Sequence, residues 1–279
     1  MNQSLRFDKK DRDLLVKINE VIDSGNVSSA EQETFRTSLH PHGIQNMVST
    51  HEERMAMAEV NLLQRLNDGT GVEARLSALK TLHEEVLYSA QTPFRFNTSR
   101  VLIQLMKEIV RARGNEEEQL RLIHDFQKVA AGNPRIVRAF LSKFFLLEMP
   151  EEWNQKTMDD HVHDANTMGR KNPTYLVMDA RVKGIRRLTV VYYNFVDPKV
   201  VYELYEAAHI MGISVRLGIK FKARFHDRYV EFLWTPKGFT DTKSVLDFLK
   251  EPETEALMQE GRAVEDWARE EVLQTLEVF

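Results

Sequence analysis

The sequence predicts a two-part protein of class α + α/β: a helical bundle over residues 1–150, followed over 151–279 by an α/β domain with a short, partly parallel sheet. Three observations carry this prediction. The 279 residues suit two ordinary domains of roughly 100–200 residues each. From Leu5 to Glu148 apolar residues recur at three- and four-residue spacing, the period of amphipathic helices. After Pro150 the period alternates between helix and strand, as in chains that interleave the two.

In the first half Leu14, Leu15, Ile18, Val21 and Ile22 form one helical stripe that ends at Ser24-Gly25-Asn26. Ser28 with Glu31, or Ser29 with Gln32, offers a capping-box start for the next helix, and Leu39-His40-Pro41-His42-Gly43 reads as a turn. Met55, Val60, Leu62, Leu63 and Leu66 mark a long helix closed by 67–71. Val72 to Ala90 supplies another, and the short link between the two makes an antiparallel hairpin. Thr98 or Ser99 is placed to cap a helix carrying Val101, Leu105, Ile109 and Val110, with Gly114 as its stop. Two more run from Leu120 to Ala131 and from Ile136 to Leu147, about seven in all.

In the second half Asn172-Pro173 starts a helix that closes at Gly184, with Pro at the first helical position. Leu188 to Tyr193 is β-branched and aromatic on both faces, as a buried strand requires. Asp197-Pro198 opens a helix closed by Gly212, and Ile213 to Phe225 alternates strictly. Strand, helix, strand in this order implies parallel pairing by a right-handed crossover. In the last strand Leu217, Ile219, Phe221, Ala223 and Phe225 share one face, while Arg216, Lys220, Lys222 and Arg224 share the other. A two-residue turn at His226-Asp227 pairs Phe225 with Arg228, sets Lys222 opposite Glu231, and puts Val230, Phe232 and Trp234 on the apolar face. Three further helical stretches follow: 242–250, 252–260 and from Ala263 onward.

Composition narrows the function. Apolar residues make up 42% and charged ones 29%, enough to build a core. Thirty-eight basic against 42 acidic residues, net −4, argues against a nucleic-acid binder or a binder of anionic membranes over its whole surface. No run approaches the roughly 20 apolar residues of a membrane span, and no signal peptide opens the chain, so a cytoplasmic protein is expected. The chain has no Cys, so any metal must be held by His and carboxylates. Of nine His, two stand in Asp159-Asp160-His161-Val162-His163-Asp164. In an extended segment His161 and His163 project to one side and can reach one ion, with Asp160 or Asp164 as ligand or orienting partner. The cationic strand face, Arg216, Lys220, Lys222 and Arg224, has two readings: a solvated face with one cross-strand ion pair, or a phosphate-binding surface.

In order of parts, residues 160–239 resemble the opening of the polymerase and histidinol phosphatase (PHP) family. DHVHDANT at 160–167 is similar to the family's first motif, His-x-His at the end of the first barrel strand. MDARVKGIRRLTVVYYN at 178–194 is similar to its first helix and second strand, and SVRLGIKFKARFHDRYVEFLW at 214–234 to its third strand and hairpin. The resemblance implies a partial or reduced PHP-like, TIM-like α/β domain related to metal-dependent phosphoesterases. It further implies a divalent ion (Mn, Zn or Mg) on His161 and His163, with Asp160 or Asp164 completing the sphere. The sequence departs from the family at Tyr193-Asn194, where an Asp-His is expected, and at Lys220, where a metal-bridging Glu is expected; an ammonium repels a cation and holds an anion instead. Two functions follow from this reading. One is binding of a metal or of a phosphate-bearing small molecule at these residues. The other is a non-catalytic interaction or regulatory module whose helical half meets a protein partner, within a longer protein of which this chain is the front part.

Overall fold

The structure, a computed structural model, describes residues 7–24, 49–66, 69–88, 93–152 and 157–277. The capping-box alternatives at 28–32 and the turn at 39–43 lie outside them. The chain forms two compact units: Met1–Gln155 with Val182–Gly184, and Lys156–Arg181 with Ile185–Phe279.

The described elements of the first unit are helices: α1 Lys9–Ser24, α2 His51–Arg65, α3 Val72–Leu82 prolonged by a π-helical turn His83–Tyr88, α4 Arg95–Arg111, α5 Glu116–Ala130 and α6 Pro134–Lys143. The predicted stripes are its core, with Ile18, Val60, Leu62, Leu79, Leu105 and Phe126 fully buried. Side chains supply the caps that helix starts need. Thr50 accepts from the Glu53 N–H, and Asn115 from that of Glu118. Helix α2 packs against α1, α3 and α4, which buries it on several sides and draws even Glu59 inside.

Two expectations are corrected here. Thr98 and Ser99 do not cap α4: the helix begins at Arg95, and both hydroxyls are buried in its first turns, donating to the carbonyls of Phe94 and Phe96. Ser and Thr favour caps, but inside a helix their hydroxyls bond equally well to carbonyls three or four residues back. Helix α6 stops at Lys143 rather than Leu147, because Phe145 takes a left-handed conformation (φ 54°) that breaks the helical repeat.

The second unit runs β1 Met158–Val162, α7 Pro173–Lys183, β2 Arg187–Tyr193, α8 Pro198–Met211, β3 Ser214–Phe225, β4 Arg228–Trp234, α9 Thr242–Phe248 and α10 Pro252–Glu277. Its four strands make one mixed sheet in the order β1-β2-β3-β4, the first three parallel and β4 antiparallel to β3. The architecture is thus mixed α and β, as expected. Asp197 caps α8 through the Lys199 N–H ahead of Pro198, and Gly212 ends it at φ 63°. The hairpin register agrees residue for residue with the prediction, Phe225 opposite Arg228 and Lys222 opposite Glu231, and His226 supplies the positive φ (54°) of the tight turn. Helix α10 corrects the reading of two separate segments. It continues through Gly261, because glycine serves there as a contact: a Cβ would collide with the Asn194 carbonyl. Among the described residues no helix is long and apolar enough to cross a membrane.

Candidate anion-binding site on the polar face of the sheet

The site is built at the carboxyl ends of the three parallel strands, where open α/β sheets hold ligands. Its position depends on an irregularity in β1. Met158 pairs with Arg187 and Asp159 with Leu188, but Val162 pairs with Val190, so three steps on β1 match two on β2. The extra residue shifts the alternation. After it, His161 and His163 project to the face that carries Tyr193 and Lys220, which are register partners on β2 and β3. On β4 the same face carries Glu231, opposite Lys222.

Ring and charge contacts tie these side chains together. The His161 and His163 rings meet edge to face at 5.1 Å, and His163 stacks on Tyr193 at 5.3 Å and 11°. The Lys220 ammonium lies 5.4 Å from the Tyr193 ring centroid, a cation–π contact. It also donates to Glu231 Oε1 at 2.8 Å. That bond holds the Glu231 carboxyl below its usual range, with smaller contributions from the charges of Lys222 and His161. The same bond raises the Lys220 ammonium above its usual value. Glu231 is therefore the carboxylate that Lys220 holds, opposite Lys222 in the register.

His163 is fixed by its backbone partner. Its Nδ1 lies 2.8 Å from the Val191 carbonyl, which can only accept, so Nδ1 carries the hydrogen and Nε2 is left to face a ligand. Thr167 adds a weaker contact to the same nitrogen at 3.3 Å. The turn after β1 is held by Gly169, whose N–H donates to the Asp164 carbonyl and whose position leaves no room for a Cβ beside His163 and Asp164.

The two aspartates are engaged elsewhere. Asp164 is buried, accepting from Tyr192 Oη at 2.6 Å and from the Asn166 backbone at 2.8 Å; burial raises its pKa, and these bonds partly offset the rise. Asp160 accepts from Thr189 at 3.3 Å and pairs with Arg187 at 3.4 Å. Among the described residues no group of three or more His, Asp or Glu side chains is placed to hold a metal ion. Among the described residues His161 and His163 come together, while the Asp160 and Asp164 carboxylates bond to Thr189, Arg187, Tyr192 and Asn166. Of the cationic stripe, Lys220 reaches the cluster, and Lys222 lies opposite Glu231 in the register. Arg216 lies four residues back along β3, roughly 13 Å away at strand rise, and Arg224 turns to the His226 carbonyl in the hairpin tip.

Sequence reasoning missed Tyr193 as the ring joining His163 to Lys220, and Thr167 and Gly169 as supports of the β1 turn. Tyr193 stood out only as a departure from a family pattern, and no local signal announces a bulge that brings His163 onto it. On the sheet's other side an open cavity of about 390 Å³, lined by Phe221, Phe232, Leu233, Trp234 and Leu257, is apolar and offers an anion nothing. No family model, curated protein or solved structure matches the chain.

Proposed function

We propose that the second unit binds a small phosphate-bearing molecule at the carboxyl ends of β1–β3, with Lys220 and Lys222 supplying charge and hydrogen-bond donors beside the rings of His161, His163 and Tyr193. One observation carries the reading: Glu231, an intramolecular carboxylate, is held by Lys220 at 2.8 Å on the face that also carries Lys222, its register partner. A phosphate dianion brings twice the charge of that carboxylate and more acceptor atoms, so it competes for the same ammonium. Lys220 at a position where the resembled family carries a metal-bridging Glu supports the same conclusion, since its charge replaces a cation in holding an anion. Because no group of three or more His, Asp or Glu among the described residues is placed to hold a metal ion, no hydrolytic step is assigned, and the reading is one of binding.

Calorimetric titration with inorganic phosphate and with phenyl phosphate tests this. Binding is expected to weaken with rising salt, as contacts between exposed charges do. Lys220→Met should weaken it by about 10- to 100-fold, the equivalent of about 1.5–3 kcal/mol for one charge-assisted hydrogen bond. Glu231→Gln should tighten it, because the internal competitor is gone. Absence of binding, or affinity indifferent to both substitutions, refutes the proposal. Stoichiometric manganese or zinc uptake that His161→Ala/His163→Ala abolishes would replace it with a metal site.

A further inference from the structure

Two parts of the second unit project beyond their own packing. The β3–β4 hairpin continues past the last β2 pair, Tyr193 with Lys220, as a ribbon two strands wide. Phe225, Val230 and Phe232 on its apolar face are 60%, 38% and 42% exposed. An isolated two-stranded ribbon is at best marginally stable in water. Helix α10 does the same. Its first half is seated, with Leu257 beside Phe221 and Phe232, Met258 buried, and Gly261, Arg262 and Glu265 on Asn194 and Phe195. From Asp266 to Leu276 every residue is exposed. The helical face that is seated continues there as Val264, Ala268, Val272 and Leu276, at four-residue spacing, with Trp267 and Leu273 flanking it. Trp267 and Leu276 are both 64% exposed.

We infer that a second copy of this chain covers both: in a two-fold dimer the 264–276 half of α10 of each copy lies on the apolar face of the other's β3–β4 ribbon. Charge decides the pairing. Residues 264–276 carry four carboxylates and one guanidinium, net −3, whereas 220–231 carry four cationic side chains and two carboxylates, net +2. Helix against helix sets like charge on like, and helix against ribbon sets opposite charges within a Debye length. Lengths agree as well: thirteen helical residues span about 20 Å, and the five to six residues of each ribbon strand span roughly 17–20 Å. Within one copy the first half of the helix meets the base of the ribbon at Phe221 and Phe232 and reaches Asn194 at the end of β2, while residues 266–276 and the outer ribbon are left exposed. Eight exposed large apolar side chains per copy, at on the order of 100 Å² each, bury roughly 1,600 Å² in the pair, within the roughly 1,200–2,000 Å² of stable interfaces.

Sedimentation equilibrium on the full chain between about 1 and 100 µM tests the inference. The expected mass is twice the 32.5 kDa of one chain, with dissociation increasing several-fold at high salt. Val272→Asp/Leu276→Asp on the helix should give monomers, and so should Phe225→Asp/Val230→Asp on the ribbon. Mixed together, the two variants should associate again, since a mixed pair retains one intact helix–ribbon contact; misfolded variants could not recover in this way. A monomeric wild type overturns the inference, as does a ribbon variant that remains dimeric or a mixture that fails to associate.

Discussion

Replacing Glu59 by Met should stabilise the helical unit and remove a pH dependence that the wild type carries. Glu59 is 1% exposed, and neither carboxylate oxygen has a hydrogen-bond partner. Burial alone therefore drives its pKa well above the ordinary 4.5, since a desolvated carboxylate without a partner is the costly form. The sign follows from linkage. Between the ordinary value and the raised folded value the native state holds the proton and the unfolded chain does not, so stability is full below 4.5 and falls as pH rises, at no more than about 1.4 kcal/mol per unit. From pH 5.5 to 7.5 this one group costs the wild type at most about 3 kcal/mol. Glu59→Met, similar in volume and without a polar atom, loses the slope and gains about 1–3 kcal/mol from the removed desolvation penalty. Glu59→Gln loses the slope but keeps an unsatisfied buried group, so it should fall between the two. The assay is urea unfolding followed by far-UV circular dichroism at both pH values, reading the helical unit's transition. Glu148 and Glu231, whose partners Arg138 and Lys220 lower their pKa, contribute stability that is lost only as pH falls below about 4.5, outside the window. The Asp11–His124 contact is common to all three proteins and cancels in the difference. Wild type and Glu59→Met with parallel pH dependence would show that the buried carboxyl is not carrying its proton in the way argued.

Two further substitutions test the second unit. Gly261→Ala should destabilise it by about 1–3 kcal/mol despite the roughly 1 kcal/mol that alanine adds to a helix, because the new methyl meets the Asn194 backbone; a raised urea midpoint would contradict the close approach of α10. Tyr192→Phe removes the 2.6 Å hydrogen bond to buried Asp164 at a cost of about 1–3 kcal/mol. It should also move the Asp164 carboxyl still further up, so the loss grows as pH rises above the ordinary aspartate range; an equal loss at pH 4 and pH 7.5 would mean that the bond does not hold the carboxylate.

Most elements were legible because their signals are local. Asn172-Pro173 and Asp197-Pro198 start helices, Gly212 ends one, and the alternation of 213–225 with a two-residue turn fixed the hairpin register to the residue. Where reading failed, a distant contact had overridden a local preference. Gly261 looks like a helix breaker until Asn194 is seen against it, and Thr98 and Ser99 look like caps until their hydroxyls are seen bonded to carbonyls one turn back.

The site shows the same division more sharply. That His161 and His163 share a side follows from strand periodicity, and that Lys220 and Lys222 share a face follows likewise. Which side of β1 meets which face of β3 depends on the number of residues between Asp159 and Val162 that pair with β2, and one extra residue decides it. Without that bulge the imidazoles would lie on the opposite face from Lys220, with the apolar side chains of Leu217 and Ile219. With it, the imidazoles lie on the face where Glu231 pairs diagonally with Lys220 at 2.8 Å, although the register sets Lys222 directly opposite. The structure thus shows the plain reading of the charge pattern, a cross-strand ion pair, and under the proposed function an added phosphate would have Glu231 as its competitor.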